Sequence, residues 1–294
     1  MNAAVPGTVI TPAVLRDWPL PMPGDGKESR GHLLVVAGTA TTPGAARLAA
    51  EAALRAGAGK LTIATTAPAA ATLAVALPEA LVEPLPCDTD GSLSPGAADA
   101  VVRLAQDVDA LVVGPGFTDP EASIELLAGM LPRLDLALVL DATASAYVGR
   151  HPSALRHHAG PAVLTVNPDE LALTAHRSRQ AVAADPAPVV ATLAATAGVV
   201  VLCGGIDKHV ACPDGRAWLF QGGGPGLGVS GSGDVQAGIV AGLLARGAPA
   251  DQAAVWAAYL HGRTGERLSS DVGTVGFLAR ELLDQVPRVL LEIG

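Results

Sequence analysis

Gly231-Ser232-Gly233-Asp234, followed at once by Val235-Gln236-Ala237-Gly238-Ile239-Val240, puts small residues, one carboxylate and a helix start in immediate succession. N–H groups at a helix start lack intrahelical acceptors and sit at the positive end of the helix dipole, so such a place binds anions. A carboxylate has no attraction for phosphate, so Asp234 needs another task, and holding or deprotonating a substrate hydroxyl is the one that fits. These residue types indicate phosphoryl transfer. The alternative is that Asp234 caps the helix, as Asp often does. The preceding Gly222-Gly223-Gly224-Pro225-Gly226-Leu227-Gly228 weighs against capping alone. Glycine at that density costs conformational entropy, which close backbone approach to a ligand explains.

Such a loop needs a sheet whose strands end beside it. Apolar runs over 33–37, 60–65, 111–113, 136–140, 162–166 and 199–202 read as buried strands. Several end in residues with chemistry or turn character: Gly114-Pro115-Gly116, Asp141, Asn167 and Cys203-Gly204-Gly205. A helical pattern over 45–56 lies between the first two strands, and helices alternate with strands almost throughout. Continuous apolar strands separated by helices predict a parallel sheet covered on both faces, with ligands at the C-terminal strand ends. Runs over 209–212 and 217–220 flank Pro213-Asp214-Gly215 and predict a hairpin. Helices over 234–245, 252–269 and 277–291 follow. The expectation is an α/β fold with a doubly wound, mostly parallel sheet, a late β-hairpin and C-terminal helices. Residues 1–30, with Pro19-Leu20-Pro21-Met22-Pro23, read as an N-terminal arm, and 31–294 as one domain without an internal linker.

The chain has 294 residues and a net charge of −9, with 19 scattered Lys and Arg. That excludes a nucleic-acid backbone as partner, which needs clustered basic residues. Cys87, Cys203 and Cys212 are odd in number and far apart, with no metal-ligand spacing, as expected of a cytoplasmic protein without a disulfide framework. The N-terminus lacks the pattern of a secretory signal. The longest apolar runs, such as 67–77, are too short for a bilayer, so no membrane partner is expected.

Two motifs match only in letters. Gly226-x-Gly228-x-x-Gly231 fits the dinucleotide fingerprint, but it comes late, after a hairpin, and carries Pro225. Gly57-Ala58-Gly59-Lys60 resembles the end of a phosphate-binding loop, yet its order is helix then strand. None of the seven histidines has zincin spacing. His261 is expected to be a hydrogen-bonded core or interface residue.

With these residues placed, the chain resembles the NAD(P)H-hydrate dehydratases of the ribokinase-like superfamily over about residues 28–292. The likeness rests on an ordered set of fragments. Gly44-Ala45-Ala46-Arg47-Leu48-Ala49-Ala50 through Ala56-Gly57-Ala58-Gly59 comes first. Leu77-Pro78-Glu79-Ala80, Val113-Gly114-Pro115-Gly116 and Val139-Leu140-Asp141-Ala142 follow, then Pro225-Gly226-Leu227, Gly231-Ser232-Gly233-Asp234 and Tyr259-Leu260-His261-Gly262. The resemblance implies a metabolite-repair lyase that uses ADP or ATP to dehydrate NADH or NADPH hydrates, through phosphorylation of the ring hydroxyl and loss of phosphate. It implies that Asp234 receives the hydroxyl proton and that the amides of Gly231, Ser232 and Gly233 form an anion hole. It places Ala45, Gly116, Asn167 and Asp234 at the substrate. Cys203, Gly204, Gly205, Ile206, Asp207 and Gly233 fall at the nucleotide, whose phosphates carry Mg²⁺. It also implies a homo-oligomer, a tetramer in the family.

Three departures stand out. The family carries Lys-Gly where Cys203-Gly204 stand; Lys208 is a candidate replacement, although a hairpin lysine is ordinarily solvated. Its Asp-Ala-Asp is Asp141-Ala142-Thr143. Its His-Pro-Gly-Glu is Asn167-Pro168-Asp169-Glu170, matching the Asn-x-x-Glu of sugar kinases in the same superfamily. Asn167 and Glu170 could therefore order the water shell of a nucleotide-bound Mg²⁺. They could equally close a capping box at a helix start, and both roles can coexist. A small-alcohol kinase and a nucleotide-binding protein with reduced catalysis remain as alternatives. The helix dipole is expected to favour the charged form of Asp234 and keep it a weak base.

Overall fold

The computed structural model describes residues 7–22 and 24–294. In chain order its elements are β1 (Thr8–Val9), α1 (Pro12–Arg16), β2 (His32–Val36), α2 (Pro43–Arg55), β3 (Lys60–Thr66), α3 (Ala67–Ala76) and β4 (Leu81–Leu85). Then come α4 (Ala98–Leu104), β5 (Ala110–Val113), α5 (Pro120–Met130), β6 (Ala137–Leu140), α6 (Ser145–Arg150) and β7 (Ala162–Val166). After these lie α7 (Pro168–Thr174), α8 (Arg179–Ala184), α9 (Pro186–Ala197), β8 (Val200–Cys203), β9 (Asp207–Ala211) and β10 (Ala217–Gln221). The chain closes with α10 (Ser232–Ala245), α11 (Ala250–Asp271), α12 (Ala279–Leu283) and α13 (Val286–Ile293).

The strands form one sheet in the order β1-β10-β9-β8-β7-β6-β5-β2-β3-β4. It is parallel except where β9 runs against both β8 and β10. Side chains alternate between faces because the strand period is two. Leu33, Val35, Val112 and Val139 join the core beneath α2, α10 and α11, while Leu34, Val36, Leu111 and Leu138 join the core beneath α4, α5 and α9. Both faces are covered, which is why the strands read as unbroken apolar runs. The fold is the expected α/β arrangement.

Helix α10 runs through the middle of one layer and is buried at every position from Val235 to Ala245. A helix apolar all round belongs inside a protein. Small residues bring it close to α2: a Cβ on Gly238 would collide with the Ala49 carbonyl, and one on Gly242 with the Ala53 carbonyl.

Three local expectations need correction. The segment 277–291 is two helices, with Pro287 in the first turn of α13, where its fixed φ is tolerated and a missing N–H costs nothing. The two edge strands β1 and β4 escaped the periodicity reading; β1 has only two residues and β4 carries Pro84, a residue confined to edges. Residues 1–6 and Pro23 of the expected arm lie outside the described residues. Within 7–22, β1 pairs with β10, Leu15 is buried, and the Trp18 carbonyl accepts from Trp256 Nε1 at 2.9 Å. Among the described residues no helix is long and apolar enough to cross a membrane.

Candidate active site at the start of helix α10

Gly231 precedes α10 in the left-handed region, at φ +91°, and no side chain caps the helix. The glycine is required twice over: a Cβ would sit in disfavoured backbone space and 2.5 Å from Leu48 Cδ1. Asp234 is the third helical residue and, among the described residues, accepts no hydrogen bond from the helix start. The capping alternative is therefore not what the structure adopts. The amides of Gly231, Gly233 and Asp234 have no protein partner among the described residues, whereas Ser232 N–H donates to the Val229 carbonyl at 3.1 Å. Ser232 therefore differs from its expected anion-hole role: its amide serves the turn, and its hydroxyl is the group left to act.

The free amides border a cavity of about 720 Å³ at the C-terminal ends of β6, β7 and β8. Asp141, Glu170 and Asp234 all line it. Burial, with the added repulsion of Glu170, pushes the Asp234 carboxyl up to about 6. Burial likewise raises Glu170, against the pull of its bonds to Asn167. It raises Asp141 well above the ordinary carboxyl range, helped by Asp234 and Glu170 and opposed by the Thr165 hydroxyl, which donates to Asp141 Oδ1 at 2.6 Å. The expectation that the helix dipole would keep Asp234 a weak base is thus reversed. Among the described residues no Lys or Arg lines the cavity, and desolvation acts against the charged form.

The turn after β7 is built differently. Asn167 Oδ1 accepts from the Glu170 N–H at 2.9 Å, and Glu170 Oε2 accepts from the Asn167 N–H at 2.9 Å, a closed capping box with Pro168 in the first turn. The box occupies one carboxylate oxygen of Glu170 and leaves the other for the cavity.

Of the residues singled out from sequence, Asn167, Glu170, Gly204, Gly205, Ile206 and the run Gly231, Ser232, Gly233, Asp234 line this one cavity. Cys203 and Asp207 do not. Cys203 is a buried strand end whose thiol donates to the Gly204 carbonyl at 3.3 Å, with burial pushing it up to about 12. Ala45 and Gly116 also lie outside the lining. They face one another so closely that a Cβ on Gly116 would stand 2.7 Å from Ala45 Cβ, and the Thr42 hydroxyl donates to the Gly116 carbonyl. His261 is buried and bonded to Ser232, as expected. Lys208 is a correction: it is wholly buried rather than solvated, with its ammonium 5.7 Å from the centre of the Phe220 ring.

Asp141, Thr165 and Gln236 are cavity residues that the sequence reading did not assign. For Asp141 the signal was present, since it directly follows β6, where such folds place ligand contacts. For Gln236 the signal was a polar residue within an otherwise apolar helix run.

The parallel sheet, its antiparallel strand β9 and an uncapped helix start facing a cavity at the strand ends define a ribokinase-like α/β protein. A ribokinase-like superfamily protein from Enterococcus faecalis V583 has this fold, with a TM-score of 0.83 at 21% identity over 100% of this chain and 99% of that one. The family model for NAD(P)H-hydrate dehydratase matches residues 33–288. The chain belongs to that family. It is 44% identical to the ADP-dependent (S)-NAD(P)H-hydrate dehydratase of Xanthomonas campestris pv. campestris, over 96% of this chain and 95% of the relative. It is similar to the ADP/ATP-dependent NAD(P)H-hydrate dehydratase from Bacillus subtilis co-crystallised with ATP/Mg²⁺, with a TM-score of 0.83 and 27% identity, covering 99% of this chain and 100% of that one. The chain spans about half the length of the bifunctional NAD(P)H-hydrate repair enzymes that it also matches.

Proposed function

We propose that this protein uses ADP or ATP to dehydrate NADH or NADPH hydrates, returning them to usable cofactor. The observation that carries the reading is Asp234. It is a half-buried carboxyl beside free amides, among the described residues it caps nothing, and it is poised near 6 rather than near 4. At neutral pH it is mostly ionised, yet basic enough to take a proton in the transition state. The substrate hydroxyl oxygen bonds to the terminal phosphorus of the nucleotide while its proton passes to Asp234 and the bond to the bridging oxygen breaks. The amides of Gly231 and Gly233 hold the transferring group where charge develops. The carbon–oxygen bond then breaks, with phosphate leaving on the electron pair, and the neighbouring ring carbon releases a proton to water as its C–H electrons form the ring double bond. Phosphate is a far better leaving group than hydroxide, which is the reason to spend a nucleotide.

Mg²⁺ fits as an ion carried by the nucleotide phosphates. Among the described residues no three His, Cys, Asp or Glu side chains converge as a protein-only metal cage, and Mg²⁺ commonly binds through one or two carboxylates plus phosphates and waters. When bound, it neutralises phosphate charge. Glu170 and the Asn167 side chain would hold its water shell, and Gly204, Gly205 and Ile206 would face the nucleotide. The test mixes hydrate, Mg²⁺ and ADP or ATP and follows absorbance of the reduced nicotinamide. Recovery of that band supports the reading. Nucleotide turnover without recovery would identify a small-alcohol kinase instead.

A further inference from the structure

Four observations near the start of α10 have no part in the reaction as proposed. Ser232 Oγ lies 2.9 Å from His261 Nε2, in a buried contact. His261 Nδ1 is buried with no hydrogen-bond partner. Lys208 is wholly buried, makes no ion pair within 4.0 Å among the described residues, and donates only to the Gly205 carbonyl at 3.4 Å. A Cβ built on Gly223 would stand 3.1 Å from Lys208 Nζ and 3.2 Å from Gly262 Cα, so the lysine head and the His261–Gly262 turn of α11 lie against the same glycine.

His261 is buried at the wall of the cavity, and desolvation and the Lys208 charge hold it well below its ordinary value, against the pull of the Ser232 contact, so the neutral ring is the resting form. Two neutral tautomers remain. If Nδ1 carried the proton, a buried N–H would have no acceptor among the described residues. If Nε2 carries it, Nδ1 presents a lone pair and the proton faces Ser232 Oγ. An unmatched acceptor is also the lesser penalty, since orphaned buried N–H groups are rarer than under-used acceptors. A ring nitrogen's protonation is set by what its other nitrogen meets.

We propose that the buried Lys208 ammonium keeps His261 neutral, that the ring takes the Nε2–H tautomer and donates this hydrogen bond to Ser232 Oγ, and that the Ser232 hydroxyl is thereby left as a dedicated donor into the anion hole. His261 and Lys208 are then positioning residues, and Ser232 touches the phosphoryl group through its hydroxyl, its amide being held by Val229. A hydroxyl that could rotate between donor and acceptor roles becomes one that can only donate outward. The identity of its target as a phosphoryl oxygen rests on the proposed function; the direction of the hydrogen bond does not.

The test begins with ¹⁵N-labelled enzyme and long-range ¹H–¹⁵N correlations of the imidazole rings, with His261→Gln assigning the His261 signals. The expected result is protonation at Nε2 alone in the wild type, with Lys208→Met making the ring easier to protonate on both nitrogens as pH falls. Protonation at Nδ1 in the wild type overturns the proposal. Binding of MgADP is then measured by calorimetry. Ser232→Ala and His261→Leu should each weaken it about tenfold, the worth of one hydrogen bond to a charged acceptor. The double variant should be no worse than either single, and His261→Gln, whose amide can still donate, should restore most of the loss. Additive losses, or a His261→Gln as weak as His261→Leu, also overturn it. Failure of the functional reading looks different: the wild type would show the Nε2–H tautomer yet leave the hydrate unchanged.

Discussion

Two strand-to-helix junctions border the same cavity and treat their backbone in opposite ways. At Asn167–Glu170 each side chain bonds the other residue's N–H, so the start of α7 satisfies itself. At Gly231–Asp234, among the described residues, the helix start has no cap, the amides of Gly231, Gly233 and Asp234 stay free, and its one carboxyl bonds none of them. Both sequences pair a helix start with an acidic residue. The difference is the residue before the helix. Asn167 has a side chain that reaches an N–H of its own helix start, whereas Gly231 has none and takes a left-handed φ. A helix that leaves out its own cap makes room for an anion there.

The comparison breaks most sharply at Asp234. Asp234→Asn is expected to lower turnover by about 10²–10⁴-fold, the scale of a lost proton acceptor, while nucleotide binding measured by calorimetry persists. Near-normal turnover would reduce Asp234 to a surface of the helix start. In the wild type, turnover should fall as pH drops through about 6, because the acceptor must be ionised and protonation disables it. The Asn variant should lose that acid limb in a pH–rate profile.

Gly231→Ala should destabilise the fold by roughly 1–3 kcal/mol through left-handed backbone strain, with the Leu48 contact adding to it; thermal denaturation reads this directly. Glu170→Gln sharpens the other junction. A glutamine still accepts from the Asn167 N–H, so the melting temperature should hardly move, while the Mg²⁺ needed for half-maximal turnover should rise by roughly tenfold, as for other outer-sphere metal contacts. An unchanged Mg²⁺ curve would leave Glu170 with the cap alone.

The smallest effect concerns Asp141. A carboxyl raised on folding binds its proton more tightly in the native state, so its burial penalty grows as pH rises above the ordinary carboxyl range. Asp141→Asn should therefore raise the melting temperature at pH 7 to 8 and flatten its decline with pH. A lower melting temperature across that range would mean that the Thr165 bond outweighs desolvation.

What was legible in the sequence follows from distance along the chain. The glycine loop, the strand ends at Asp141, Asn167 and Cys203, and the hairpin around Pro213-Asp214-Gly215 are local patterns, and local sterics and periodicity specify them. The convergence of Asp141, Glu170 and Asp234 is not local, and only the tertiary fold brings the ends of β6 and β7 and the start of α10 to one cavity. The elevated Asp234 follows from that convergence, so a reading of its own helix pointed the wrong way. Lys208 was misplaced for a similar reason: its fate depends on Phe220 across the hairpin and on Gly223 in the following loop. Alternating burial within β9, with Lys208 inward, was visible in the pattern but contrary to the habits of lysine.

The tight seating of α10 on α2 has a consequence for how the site works over many turnovers. Gly238 and Gly242 lie so close to the Ala49 and Ala53 carbonyls that no side chain fits between the helices. Packing this close is expected to hold the free amides at the head of α10 in one orientation. Their loss of freedom is settled when the chain folds, together with the core, and is not repeated at each encounter with substrate. A methyl group added at either glycine, more than a turn of helix away from Asp234, would loosen that aim and show up as slower chemistry in a protein whose active-site residues are all intact.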